Sequence, residues 1–151
     1  VMYDNLVEVG GVAYTGEETK FANKIALTLG YEKADIAAVN GVEPYKTESE
    51  ARGSTDVGDV SFTLPTAGLR AATWVSGTPS HSWQAVACGG TSIGNKGMVV
   101  AAKTIALTAV DIFEDKELLE KAKEEFNKRR GDDFKYIPLL GDRSPALDYR
   151  N

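Results

Sequence analysis

Two carboxylates near the middle of the chain have the type and spacing that can serve a cation or a neighbouring histidine. Asp56 and Asp59 lie three residues apart in the Gly-rich segment GSTDVGD (residues 53–59). Such a pair can bind a cation directly, or it can orient a histidine. The spacing alone is a weak signal, because an Asp in such a turn usually bonds its own backbone. These residues by themselves leave both interpretations open.

The only histidine of the chain follows in the segment GTPSHSWQ (residues 77–84). A lone histidine in a globular protein is usually structural or simply exposed to solvent. His81, however, comes after a predicted strand and a turn in which Pro79 restricts the backbone of Thr78. Side chains at such places often project into a site. His81 is therefore the first candidate for a functional residue.

The elements that must position these side chains are predicted to be strands with flanking helices. Residues 57–64 and 69–75 are rich in β-branched and aromatic residues and are bounded by Gly or Pro, which predicts two strands joined by a short turn. Apolar residues at helical spacing predict helices near residues 2–9, 15–29 and 98–113 and after Asp115. The second of these begins with a capping box of Thr15 and Glu18. Residues 31–53 are predicted to be a loop.

The apolar periodicity also predicts which helix faces are buried. The long alanine-rich helix is expected to bury Val99, Ala102, Ala106, Ala109 and Val110, and the helix after it Leu118, Leu119, Ala122 and Phe126. Cys88 has no histidine partner in the sequence, so we interpret it as a buried packing residue rather than a nucleophile. Lys96 lies in a Gly-Asn-Lys-Gly helix start that fits no Walker motif. A role for Lys96 in holding a substrate carboxylate is the minor alternative.

Composition excludes several classes of protein. The chain has 151 residues, which fits one domain with a sizeable core. Its formal charge of −5 disfavours nonspecific binding to nucleic acid or to anionic membranes. The apolar runs are shorter than the roughly 18 residues of a membrane span. One cysteine and the absence of a recognisable signal peptide predict a cytoplasmic protein.

Two segments together resemble a known family of hydrolases. They are GSTDVGDVSFTLPTAG (residues 53–68) and GTPSHSWQAVACGGTSIGNKGMVVAAKTIALTA (residues 77–109). The combination of an STDVGD loop, a TPSHSWQ segment and KGM at the start of an alanine-rich helix is similar to the C-terminal portion of aminobenzoyl-glutamate hydrolase-type amidohydrolases. These enzymes are relatives of the aminoacylases. The resemblance covers nearly the whole chain.

The resemblance implies a pair of divalent metal ions, zinc or manganese, in the complete enzyme. The family's last metal ligand is a histidine near the C-terminus, and His81 matches it. A histidine ligand needs an acceptor for its second ring nitrogen, which Asp56 or Asp59 can supply. The STDVGD loop matches a segment that lines the family's active site. It assigns substrate contacts, or support of the ligand, to Asp56 first and then to Asp59, with Ser54 and Thr55 as hydrogen-bond donors.

The resemblance also implies that the chain is part of a larger enzyme. The family's other metal ligands and its general base lie in an N-terminal half, and its lid or dimerisation domain is inserted before the matched region. The expected fold is α/β, a partial mixed sheet flanked by helices, with residues 1–151 forming the C-terminal part of a zinc-peptidase-like catalytic domain. We expect the chain to be inactive alone, since each catalytic metal takes about three protein ligands.

The implied partners are the N-terminal half of the same enzyme and a small amide or dipeptide substrate, in a complete enzyme that is a homodimer. Without that half, apolar residues around Phe62, Leu64 and Trp74 are expected to lose their cover. The reaction would be hydrolysis of the amide bond of an N-acyl or aminobenzoyl amino acid or a small peptide. Two alternatives remain: a noncatalytic subunit or interaction domain of a split enzyme, and an independent binding module whose pocket does not involve His81.

Overall fold

The computed structural model describes residues 1–47, 55–144 and 146–147, and these residues contain seven helices. The helices are α1 (Met2–Val9), α2 (Gly16–Thr28), α3 (Ile36–Asn40), α4 (Val57–Ser61), α5 (Trp83–Gly89), α6 (Ser92–Glu114) and α7 (Lys116–Arg130). The chain divides into two compact units. Unit 1 consists of Val1–Glu50 and Ala67–Lys116, and unit 2 of Ala51–Thr66 and Glu117–Asn151.

The expected α/β fold with a partial mixed sheet is wrong, because none of the described residues forms a strand. Residues 57–64, predicted to be a strand, instead begin with α4. The turn continues through Phe62 and Leu64, whose backbone N–H groups donate to the carbonyls of Gly58 and Val60 at 3.0 and 2.9 Å. The β-propensity of valine and phenylalanine reflects packing against neighbouring strands rather than an intrinsic backbone preference. Where the described chain offers no neighbouring strand, a local helical turn satisfies the backbone instead.

Residues 69–75 are the second segment for which the strand prediction is wrong. They have no helical or ladder pairing and lie instead against α6. The contact is a close one: a β-carbon added at Gly97 would overlap the carbonyl oxygen of Ala72 and lie 2.9 Å from Cγ2 of Thr73. A glycine at this position of α6 therefore lets the segment approach the helix backbone.

The core of unit 1 forms around α2, whose start the sequence predicted correctly. Thr15 accepts a hydrogen bond from the backbone N–H of Glu18 at 3.2 Å, and Glu18 accepts one from the N–H of Thr15 at 2.6 Å, so the capping box is confirmed. The helix buries one apolar face against the residues before and after α5. This core cluster contains Ala22, Ile25, Ala26, Ala34, Val75, Cys88 and Ile93. Cys88 is fully buried, which confirms its interpretation as a packing residue.

Helix α6 is longer than predicted and buries a different face. Val99, Ala102, Ala106 and Val110 were expected inside, but all four are exposed. The buried residues are instead Ile93, Gly94, Gly97, Thr104 and Thr108. An alanine-rich helix has small residues on several faces, so its apolar periodicity does not single out one of them. The buried threonines satisfy their hydroxyls within the helix, since Thr104 and Thr108 donate to the carbonyls four residues before them at 3.0 and 2.8 Å.

Helix α1 packs against the buried face of α6. Asn5 is buried between them, and its side-chain amide donates to Oγ1 of Thr108 at 3.2 Å and to Oδ2 of Asp111 at 2.6 Å. This polar contact fixes the register of the two helices. The predicted loop at residues 31–53 is partly wrong, because it contains α3, capped by Asp35, which accepts from the N–H of Ala38 at 3.0 Å.

Unit 2 combines α4, α7 and the segment after α7. Residues Leu118, Leu119, Ala122 and Phe126 of α7, expected to be buried, are half-buried. An aromatic group joins α4 to the later segment: the ring of Phe62 stacks on Phe134 at 5.3 Å and on Tyr136 at 6.3 Å between centroids. Phe62 thus has partners in its own unit, although half of its surface stays exposed. In the part of the chain that the structure describes, no helix is both long and apolar enough to cross a membrane.

Candidate functional site

His81 lies on an exposed loop between residues 69–75 and α5. The loop turns at Val75, whose carbonyl accepts from the N–H of Thr78 at 3.1 Å. His81 itself has φ 58°, in the left-handed region that residues with a side chain seldom adopt. Such a conformation is retained only where the surroundings determine it, and it occurs frequently at ligand-binding positions. The sequence prediction that His81 lies on a loop at a site-forming place agrees with this geometry.

The imidazole of His81 lines an open pocket of about 500 Å³. The pocket lies entirely in unit 1 and is lined by Trp74, Ser80, His81, Ser82, Trp83, Ala85 and Val86. Its volume is in the range of small-molecule sites, and its lining combines apolar and aromatic groups with a few polar ones, as such sites usually do. Both tryptophans of the chain are among the lining residues.

Two helices and the core fix the walls of this pocket. Trp74 is half-buried and packs against the core cluster. Ser82 caps α5: its Oγ accepts from the N–H of Ala85 at 3.2 Å and donates to the carbonyl of Pro79 at 2.7 Å. Gln84, in the first turn of α5, is buried and donates to Oγ1 of Thr28 at 3.4 Å. The cap and the buried side of α5 therefore hold Trp83 at the pocket while 60% of its surface remains exposed.

The other predicted site residues belong to unit 2 or lie outside the described residues. Thr55 accepts from the N–H of Val57 at 3.3 Å, and Asp56 is at the start of α4 without capping it. Asp59 accepts a hydrogen bond from the hydroxyl of Tyr136, and this contact raises the pKa of Tyr136. Ser54 lies outside the described residues. The support of His81 by Asp56 or Asp59 stays a prediction.

A charged cluster that the sequence did not reveal connects α2 with α6 in unit 1. Lys96 donates to Oε2 of Glu18 at 2.6 Å and to the carbonyl of Ala13 at 2.8 Å, and Ser92 donates to Oε1 of Glu18 at 2.6 Å. The hydrogen bonds from Lys96 and Ser92 lower the pKa of Glu18 to about 2. Glu18 was visible only as part of a local capping box, because its other partners lie more than 70 residues away. Lys96 already neutralises a buried carboxylate, which argues against its minor role as a substrate anchor.

The described residues fit one position of a metal site rather than a whole one. His81 offers an exposed imidazole, the donor that zinc and manganese accept readily. Within the described ranges, no group of three or more His, Cys, Asp and Glu side chains comes together in a way that could hold a metal ion. A metal bound through His81 would need further ligands from residues that this part of the chain does not provide.

Comparison with known proteins finds a relative that carries the same segments. The chain is 38% identical over 148 residues to one of the subunits of the p-aminobenzoyl-glutamate hydrolase of Escherichia coli strain K12, an alignment that covers 82% of this chain and 31% of that protein. The chain therefore spans about a third of the length of the curated relative it matches. No family model matches the chain. No solved structure matches it either. The resemblance predicted from residues 53–68 and 77–109 is confirmed, and the chain is a relative of the aminobenzoyl-glutamate hydrolase-type proteins.

Proposed function

We propose that this chain is part of a metal-dependent hydrolase that cleaves the amide bond of an aminobenzoyl amino acid, another N-acyl amino acid or a small peptide. The observation that carries the proposal is the 38% identity to a protein of the p-aminobenzoyl-glutamate hydrolase across 82% of the chain. The exposed His81 at an open pocket supports it, because a site residue must be reachable by substrate. The two features are independent, since the first comes from sequence and the second from geometry.

In this proposal His81 is a metal ligand and the pocket beside it receives substrate. The left-handed backbone at His81 and the cap at Ser82 fix where the imidazole stands relative to α5. Asp56 remains the first choice to hold the second ring nitrogen of His81, because Asp59 is already engaged by Tyr136. The metals, when bound, would polarise the amide carbonyl and activate water.

The remaining ligands and the general base must come from residues beyond this chain's match. A two-metal site takes about three protein ligands for each metal, and the described chain brings one imidazole at the pocket. The relative is about three times as long as the matched region, so it has room for the missing groups. We therefore expect this chain to have no amidase activity by itself.

A chimera tests the proposal in the context of a complete protein. This chain replaces the segment of the E. coli relative that it matches, and hydrolysis of p-aminobenzoyl-glutamate is measured with zinc or manganese and with a chelator. The proposal predicts turnover that the chelator removes and that added metal restores, while the isolated chain shows none. A correctly folded chimera without turnover, or turnover that is insensitive to chelator, would contradict it.

A second candidate function, a noncatalytic subunit that acts by docking, is favoured by one specific observation. Met98, Ile105 and Ile112 repeat every seven residues on α6, and all three are exposed, as is Phe113, with 90% of its surface accessible. Apolar residues at this spacing form one helix face, and an exposed apolar face of this kind usually has a partner. The occupant we propose is the portion of the hydrolase that this chain does not match, because the relative extends over about twice as many residues again.

Co-purification with the unmatched portion of the E. coli relative tests this docking face. Replacing Ile105 by Lys puts a charge in the middle of the face and is expected to weaken the association, while Lys103→Ala on the same helix leaves it unchanged. Light scattering of the mixtures gives the mass of the complex. Equal association of both variants would show that α6 is not the contact.

A further inference from the structure

We infer that the pocket beside His81 binds the aromatic ring of an aryl amide, with Trp83 and Trp74 as the residues that select the ring over an aliphatic acyl group. The inference rests on the proposed function and adds the class of acyl group to it. It starts from the position of the two tryptophans. They are the only two in the chain, they come from different segments, and both line the same pocket.

The exposure of the lining residues points to a flat apolar ligand. Trp83 is 60% exposed and Val86 is 77% exposed, so a large part of the apolar wall faces water. Trp74, by contrast, is held against the core cluster and cannot turn away easily. An aromatic ring can cover such a wall and pair with an indole in offset-stacked or edge-to-face geometry. A short aliphatic acyl group would leave much of it uncovered.

The polar groups of the pocket favour the acyl end of the substrate over its amino acid end. Neither Lys nor Arg is among the lining residues, so the pocket has no permanent cation for a carboxylate. The hydroxyl of Ser82 is already used in both directions, by Pro79 and by the backbone of Ala85. His81 and Ser80 then remain as the polar side chains beside the wall. This places an amide next to His81 and the ring on the tryptophans.

The experiment is an NMR titration of the chain, in which each of the two tryptophans gives one indole N–H resonance. The probes are N-benzoyl-glutamate and N-acetyl-glutamate, which differ only in the acyl group. We expect the benzoyl compound to shift both indole resonances in a saturable way and the acetyl compound to leave them in place. Shifts of equal size with the two probes, or no shift with either, would overturn the inference.

Substitutions at Trp83 show whether the ring itself is recognised. Trp83→Leu is expected to weaken binding of the benzoyl compound by about two- to tenfold, the range of an aromatic pair, as read from the remaining resonance of Trp74. Trp83→Phe keeps a ring and should restore most of the affinity. The matched control is Tyr45→Leu, an exposed aromatic residue away from the pocket. If Trp83→Leu binds as well as the native chain, the selection does not come from Trp83.

The chimera separates a failure of this inference from a failure of the proposed function. If the chimera hydrolyses benzoyl and acetyl substrates with the same kcat/KM, and Trp83→Leu leaves that ratio unchanged, the ring selection is wrong while the hydrolase assignment stands. A preference for the benzoyl substrate that Trp83→Leu removes and Trp83→Phe restores supports both.

Discussion

At the scale of single residues, Glu18 shows how one side chain can serve two elements. As part of the capping box it begins α2, and through Lys96 and Ser92 it holds the start of α6. It is buried, and its carboxylate accepts hydrogen bonds on both oxygens. A buried carboxylate of this kind is stable only while its donors remain.

The lowered pKa of Glu18 predicts a specific loss of stability in acid. Its pKa is about 2 in the folded chain against an ordinary 4.5, so folding favours the ionised form. The resulting stabilisation is complete above the ordinary value and is lost as the pH falls through about 4.5 toward 2. Glu18→Gln should lower the free energy of unfolding near neutral pH by about 1–3 kcal/mol and flatten this part of the pH profile.

Chemical denaturation followed by circular dichroism at several pH values measures this effect. Glu17→Gln is the matched control, since Glu17 is the neighbouring residue and pairs with Lys20 at an exposed position. The control should keep the native pH profile. A Glu18→Gln chain whose stability declines in acid as steeply as the native chain would mean that another group carries the dependence.

The sequence was informative at this scale wherever the signal was local. The capping box of Thr15 and Glu18 and the packing role of Cys88 follow from short-range spacing or from the absence of a partner, and both are confirmed. The contact of Glu18 with Lys96 spans 78 residues and left no local pattern. The prominence of Trp83 at the pocket was equally hidden, because exposure depends on how α5 is packed.

At the scale of elements, the helices were predictable and the strands were not. Helices α1, α2, α6 and α7 all have apolar periodicity or caps that the sequence displays. Residues 57–64 and 69–75 have strand composition, but composition becomes a strand only when a neighbour supplies the hydrogen bonds. In the described chain the first segment turns into α4 and the second lies on α6.

The contact of residues 69–75 with α6 can be tested at Gly97. Gly97→Ala would bring a β-carbon into the backbone of Ala72, and we expect a loss of about 1–3 kcal/mol in the free energy of unfolding, as for other overpacked positions. Gly16→Ala in α2 is the control, because a β-carbon there meets nothing within 4 Å. Thermal unfolding of both variants compares them directly. Equal stability of the two would show that residues 71–73 do not approach α6 as described.

At the scale of the whole molecule, the sequence resemblance was a better guide to relationship than to fold class. It predicted the relative correctly, since residues 53–68 and 77–109 carry a specific combination of motifs. The expected sheet did not follow, because a family's sheet depends on strands from regions that the chain matches only in part. The charge and the lone histidine fit a chain that contributes to a site without completing it.

The central claim is that His81 is a metal ligand in a site completed by residues beyond this chain. The most direct test compares the metal content and activity of the chimera with those of its His81→Ala variant, by mass spectrometry of bound metals and by hydrolysis of p-aminobenzoyl-glutamate. Lys33→Ala, an exposed residue outside the pocket, is the control. We predict that His81→Ala loses bound metal and lowers kcat/KM by more than about 100-fold, since removing even the supporting partner of a ligand costs about 10- to 100-fold. A His81→Ala chimera that keeps its metal and its activity would contradict the account.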